Sequence, residues 1–191
     1  DAVEASEIVG RLYAELHLPA SPRLPDLNGL VRRWLDELDA LGRDVPAPPR
    51  FVAQALSAGR RLASERGERR VVHGDLDYEN VLAARREPWL VIDPKGFAGD
   101  PCYELGPMLW NRWLDLGADA GNGVRERFFT IVDAAGYDER RCRDWVVVRA
   151  MIGVSWEVLD AGASGRGLTD DQGEWITRLV TVAKAMQAIG P

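Results

Sequence analysis

Residues 71–96, VVHGDLDYENVLAARREPWLVIDPKG, hold the side chains best suited to chemistry. The apolar pairs Val71-Val72 and Val81-Leu82 flank a polar loop with His73, Asp75, Asp77, Glu79 and Asn80. A third run, Trp89-Leu90-Val91-Ile92, stops at Asp93, and Pro94, Lys95 and Gly96 follow. Apolar β-branched pairs bounded by polar, Gly and Pro residues read as short strands. Carboxylates and an amide at the tips of such strands do little for a core, but they suit a metal ion held against a substrate. Any one of these polar residues alone reads as a turn cap. Their joint spacing carries the functional reading.

That spacing, His-x-Asp-x-x-x-x-Asn followed by a strand ending in Asp, resembles the catalytic segment of protein-kinase-like phosphotransferases. Such a site needs an Asp to accept the proton of an attacking hydroxyl. It also needs an Asn, a short loop later, to turn a neutral oxygen toward Mg²⁺, and a second Asp on the neighbouring strand to bring a charged oxygen to the metal. By this resemblance Asp75 is the proton acceptor, Asn80 and Asp93 hold Mg²⁺ and its ATP, and His73 braces the loop.

The wording HGDL-x-x-x-NVL and IDPKG, with Asp-Pro-x-Gly where protein kinases have Asp-Phe-Gly, resembles the small-molecule branch of that superfamily. It is most similar to the aminoglycoside phosphotransferases, and within them to the streptomycin 6-kinase and hydroxyurea phosphotransferase group. Two positions depart from the pattern: Asp77 stands where His is expected, and Glu79 where Gly is usual. Both add negative charge beside the metal site, to contact substrate cations or to face solvent. The resemblance also brings Asp100 near the acceptor site, although Asp100 with Pro101 equally reads as a helix start and Glu104 as a surface acid. Glu157 and Asp160, beside Trp156, are candidates for a cationic substrate pocket or for an exposed helix face.

The implied acceptor is a small polar or cationic molecule, an aminoglycoside such as streptomycin first. Hydroxyurea, a sugar or choline are the alternatives within the class. A kinase-like remnant that binds a ligand without transferring phosphate is the alternative outside it.

A formal net charge of −6 argues against nucleic acid, whose backbone calls for clustered Lys and Arg, and suits a polycationic ligand. Cys102 and Cys142 are too few and too far apart in sequence for a disulfide framework. With only His17 and His73, a histidine-rich zinc site is hard to assemble. The sequence has neither a signal peptide nor an apolar run long enough to cross a bilayer, so a cytoplasmic enzyme with no membrane partner is expected.

Around the central stretch the periodicity is helical. Stripes are expected over 3–16, over 27–41, and from PAPP at 46–49 to about residue 65; the charge run 65–70 reads as a solvated turn. Helices then start at Asp100-Pro101, run through Val124–Ala135 to a stop at Gly136, and extend over 139–161 with Trp145, Val148, Ile152, Trp156 and Leu159 near one face. A final helix is expected after a Thr169/Gln172 capping box, with GASGRG at 162–167 as a loop.

The fold expected is α+β and mostly helical: the C-terminal lobe of a kinase-like fold, with a small β-hairpin insertion carrying the catalytic loop. Within 1–191 this gives a helical segment at 1–66, the catalytic loop and metal strands at 70–98, and a helical substrate side at 100–191. No Gly-rich hairpin and no strand-borne Lys precede residue 70, and Lys95 follows the metal Asp instead. The nucleotide lobe is therefore expected to be absent from this chain, and the chain alone to have negligible kinase activity.

Overall fold

The computed structural model describes residues 2–65, 67 and 69–189. Its helices are α1 (Ala2–Leu16), α2 (Leu27–Leu41), α3 (Pro49–Ser64), α4 (Leu105–Trp110), α5 (Ala120–Ala135), α6 (Glu139–Ala163) and α7 (Asp170–Gln187). Four three-residue strands lie between α3 and α4: β1 (Arg70–Val72), β2 (Val81–Ala83), β3 (Trp89–Val91) and β4 (Phe97–Gly99). The chain divides into two compact units, one of residues 1–27 and 66–142, the other of 28–65 and 143–191.

The first unit holds α1, the strands, α4 and α5. Val9 and Tyr13 of α1 are buried, as are Val124, Phe128, Ile131 and Val132 of α5. The two helices touch through backbone at Gly10, where an added Cβ would lie 2.6 Å from the Ala134 Cβ and 2.9 Å from the Ile131 carbonyl oxygen. Helix α5 ends at Gly136 in the left-handed region, with φ of 68°, as the sequence suggests.

The strands form two separate antiparallel pairs. β1 pairs with β4, Val72 opposite Phe97, and β2 pairs with β3, Val81 opposite Val91. This replaces the single hairpin expected from sequence. The loop 73–80 runs from one small sheet to the other, and β4, too short and Gly-bounded to show as a strand, completes the first. Three-residue strands are marginal by themselves, and the β1–β4 pair is backed by a packed neighbour: Gly99 of β4 lies so close to Leu27 that a Cβ there would come 2.5 Å from its Cδ2.

The second unit holds most of α2, all of α3, most of α6, and α7. Leu35 and Leu38, Phe51 and Leu62, and Leu179 and Met186 are buried. So is α6 over Trp145–Val148 and Ala150–Ile152, on every face rather than along one stripe. A helix apolar all round belongs inside a core. Farther along, Trp156 and Leu159 come out 40% and 39% exposed, which removes them from the inward face assigned by periodicity. Helix α6 also continues through Ala163, into the segment expected to be loop. The capping box before α7 is present, with Thr169 Oγ1 accepting from Gln172 N and Gln172 Oε1 accepting from Thr169 N at 3.0 Å.

Within the charge run 65–70, Arg66 and Glu68 lie outside the described residues. Arg69 is not simply solvated: it donates to Asp26 Oδ1 at 2.7 Å and to the Ala98 carbonyl at 3.0 Å. Among the described residues, no helix is long and apolar enough to cross a membrane.

Replacing Gly10 by Ala tests the α1–α5 contact. Ala would favour the helix by about 1 kcal/mol, but its methyl meets a backbone carbonyl that cannot turn aside, and overpacking costs about 1–3 kcal/mol. Gly10→Ala is expected to lower the denaturant midpoint; a midpoint at or above that of the unsubstituted chain would contradict the close approach.

Candidate active site

The site in the first unit is built around His73, which follows β1. Its carbonyl accepts from Lys95 N at 2.9 Å and Gly96 N at 3.1 Å, holding the segment after Asp93 against the loop that follows β1. Its Nδ1 accepts from Asp75 N at 3.2 Å, and its Nε2 lies 2.8 Å from the Ile92 carbonyl. An amide N–H can only donate, so Nδ1 is unprotonated and Nε2 carries the proton given to Ile92. One ring thereby ties Asp75 to the residue before Asp93.

Gly74 permits the turn. Its φ is 89°, and a Cβ there would run into the Phe97 ring, so any other residue would meet both backbone and steric cost. Downstream, Asn80 Nδ2 donates to the Asp75 carbonyl at 2.8 Å, and the Asn80 carbonyl accepts from Ile92 N at 3.0 Å. With its amide nitrogen held inward, the Asn80 side chain has its oxygen left to act as a ligand. Asp93 sits in the left-handed region with φ of 54°, a conformation that costs a non-Gly residue about 1–2 kcal/mol and that clusters at functional sites.

Asp75 and Asp93 are brought together. Lys95 Nζ is 3.0 Å from Asp93 Oδ2 and 4.0 Å from Asp75 Oδ2. The Asp93 hydrogen bond, then its charge, raises the Lys95 pKa above the ordinary lysine value. A cation is thus already placed among these carboxylates, whose side chains are 49% (Asp75) and 68% (Asp93) exposed. The Asp93 carboxylate and the neutral Asn80 amide oxygen fit Mg²⁺, which keeps several waters and takes few protein ligands besides phosphate oxygens. They do not fit a closed structural site, and among the described residues no cluster of three or more His, Cys, Asp or Glu could hold a metal alone.

Glu104 is the residue that sequence reading misplaced. Instead of a surface acid it has no exposed area, and its Oε2 accepts from His73 N at 2.6 Å while Oε1 accepts from Gly74 N at 3.0 Å. His17, also buried, brings Nε2 to 3.6 Å from Glu104 and hydrogen-bonds Tyr137 Oη through Nδ1. Burial pushes the Tyr137 phenol well above its usual range, so that hydroxyl stays neutral. A buried carboxylate survives only with partners, and Glu104 finds them in the catalytic loop. Its position one turn into the Asp100-Pro101 helix start, among apolar neighbours, was the available signal.

The remaining expected residues are placed as follows. Asp77 Oδ1 caps the 3-10 turn Tyr78–Asn80, and its Oδ2 accepts from Asn111 Nδ2 at 3.1 Å. Glu79 is exposed. Asp100 Oδ1 accepts from Cys102 N at 3.0 Å, the cap foreseen from Asp-Pro, and Oδ2 pairs with Arg141 at 2.5 Å. Glu157 and Asp160 belong to the second unit, where Asp160 Oδ2 accepts from Gln172 Nε2 at 3.3 Å and Trp156 meets Trp34 edge-on at 5.2 Å.

Residues 1–161 match the model of the aminoglycoside/hydroxyurea antibiotic resistance kinases. This chain belongs to that family. Within the family it is 36% identical over 161 residues to streptomycin 6-kinase of Streptomyces glaucescens, covering 82% of this chain and 52% of that protein. It is 39% identical over 166 residues to hydroxyurea phosphotransferase of Kitasatospora aureofaciens, covering 84% and 46%. The chain therefore spans about half the length of these curated relatives. Among solved structures, a choline kinase from Streptococcus pneumoniae matches over 97% of this chain and 64% of that one, with a TM-score of 0.63 and 16% identity. That likeness is one of fold, and it makes the fold of this family member kinase-like.

For this kinase-family chain the Glu104 anchor is open to direct test. Glu104→Ala leaves two buried N–H groups without acceptors and is expected to cost roughly 3 kcal/mol, with Glu104→Gln, which keeps one acceptor, losing about half of that. Denaturation together with amide exchange at His73 and Gly74 reads both. Unchanged exchange in Glu104→Ala would mean that the loop is held by other groups.

Proposed function

We propose that this chain carries the acceptor side and the metal side of an ATP-dependent phosphotransferase that moves a phosphoryl group to a hydroxyl of a small polar or cationic molecule. The observation that supports this reading is that the His73 ring ties Asp75 to the residue before Asp93, Asn80 bonds to the Asp75 carbonyl, and Lys95 lies between the two carboxylates. Asp75 is the proton acceptor: its backbone is held by His73 and Asn80 while its carboxylate stays open to an incoming hydroxyl. Asn80 Oδ1 and the Asp93 carboxylate are the residues that would hold Mg²⁺. When bound, Mg²⁺ with ATP supplies the phosphoryl group and neutralises its charge. Lys95 reduces the mutual repulsion of Asp75 and Asp93. With no bond to the protein made or broken, orientation and fixed charge supply most of the rate.

The acceptor proposed is an aminoglycoside, streptomycin first, in keeping with the named relatives and with the net charge of −6. Hydroxyurea is the second candidate by the same argument, ahead of a sugar or choline. Asp77, Asp100, Glu157 and Asp160 are proposed as the acids to examine for substrate contact, Asp77 and Asp100 having their oxygens already engaged within the protein. Turnover in this reading needs a nucleotide-covering lobe in addition to the residues described. The 191 residues by themselves are therefore proposed to be inactive, in an enzyme that works in the cytoplasm.

In a form that includes such a lobe, Asp75→Asn is expected to reduce transfer at least about a hundredfold while acceptor binding is retained. An acceptor panel of streptomycin, other aminoglycosides, hydroxyurea and choline ranks the substrates. Transfer that survives Asp75→Asn would end the proton-acceptor assignment, and aminoglycoside binding indifferent to Mg²⁺ and ATP, with no transfer, would point to a ligand-binding remnant.

A further inference from the structure

We infer that Asn111 is a positioning residue for Asn80, holding the Asp77 carboxylate as the cap of the turn that carries Asn80, and that buried Arg127 fixes Asn111 in its turn. The role of Asn80 rests on the phosphotransfer reading above; the way its turn is held does not. Asp77 Oδ1 accepts from Glu79 N at 2.9 Å and from Asn80 N at 3.2 Å, so this one carboxylate defines the 3-10 turn Tyr78–Asn80. An Asp in this position could rotate away toward solvent. Asn111 Nδ2, 3.1 Å from Asp77 Oδ2, holds it in the capping orientation.

Asn111 is itself fixed. It caps the C-terminus of α4, its N–H reaching the Pro107 carbonyl at 3.0 Å, and its own carbonyl accepts from Arg127 Nη1 at 2.7 Å. The other Arg127 nitrogen, Nη2, donates to the carbonyl of Arg112 at 3.2 Å, a residue in the left-handed region with φ of 49°. Arg127 is only 4% exposed, and a cation at a helix C-terminus is favourably placed. Its guanidinium also lies 5.2 Å from the centre of the Tyr78 ring, inside the turn that Asp77 caps, and Tyr78 Oη hydrogen-bonds to Ser6. One buried cation thus grips the turn from the Asn111 side and from the ring side. This gives the Asp77 departure from the family pattern a physical role: where the resemblance leads one to expect His, this chain uses an acid that needs an amide donor behind it.

The Asn111 Oδ1 atom is buried and accepts no hydrogen bond, which makes a swap possible. Asn111→Asp sets a carboxylate against Asp77, and the cap should swing out. In the double variant Asp77→Asn, Asn111→Asp the roles exchange, because the introduced amide keeps an oxygen for the turn and offers its nitrogen to the introduced carboxylate. Two readouts on the 191-residue chain apply: amide exchange at Glu79 and Asn80, which needs no metal, and affinity for Mn²⁺ alone. Asn111→Asp is expected to speed exchange and weaken Mn²⁺ each by about ten- to a hundredfold, and the double variant to restore both to within about threefold of the original chain. Strand amides at Val72 and Phe97 serve as the folding reference. Exchange at Asn80 unmoved by Asn111→Asp, or a double variant as impaired as the single one, would overturn the inference. Mn²⁺ affinity unmoved by Asp93→Asn would instead remove the metal reading, and the exchange result would still decide the role of Asn111.

Discussion

Glu104 has no exposed surface, and its carboxylate lies on the backbone N–H groups of His73 and Gly74. Charge-assisted hydrogen bonds of this kind are about twice as strong as neutral ones, and leaving such a buried group unpaired is costly. The acid and the loop therefore hold each other in place. From His73 the constraint spreads outward: its carbonyl holds Lys95 and Gly96, its ring holds Asp75 and Ile92, and Asn80 closes the circle on the Asp75 carbonyl. The exposed acids of the site inherit their positions from groups that are themselves buried.

This division suits a site that must be open and ordered at once. Exposed carboxylates are well hydrated and mobile unless their backbone is pinned. Here Asp75 and Asp93 keep side-chain exposures of 49% and 68%, while the Asp75 N–H is tied to the His73 ring and the residues flanking Asp93 are bonded to His73 and Asn80. Lys95 offsets their repulsion, and the left-handed Asp93 is a local strain sustained by the Ile92, Lys95 and Gly96 hydrogen bonds around it. The strands contribute direction more than stability, since pairs of three residues cannot stand alone. Helices α1 and α5, closely packed at Gly10, give the first unit its rigid support.

Much of this was legible in order along the chain. Helix positions followed from apolar period, Asp100-Pro101 and Thr169/Gln172 behaved as caps, and Gly136 ended α5, because each signal is local and acts within one turn. The pairing of β1 with β4 across residues 73–96 was not legible, because strands this short carry no register information. Nor was the all-round burial of α6, where periodicity suggests one face and the packing around it supplies several. Glu104 read as a surface acid, since burial of a charge depends on partners distant in sequence.

By itself the sequence determined which residue types could do the chemistry and how far apart along the chain they stand. His-x-Asp-x-x-x-x-Asn and the later Asp93 are short-range patterns, readable along the chain before any packing is known. Only the tertiary structure decided what holds them: a carboxylate from residue 104 beneath the loop, an amide from residue 111 behind Asp77, and a lysine between the two open acids. The Glu104 and Asn111 contacts are made across chain reversals of about thirty residues, and no local propensity encodes a contact made across such a distance.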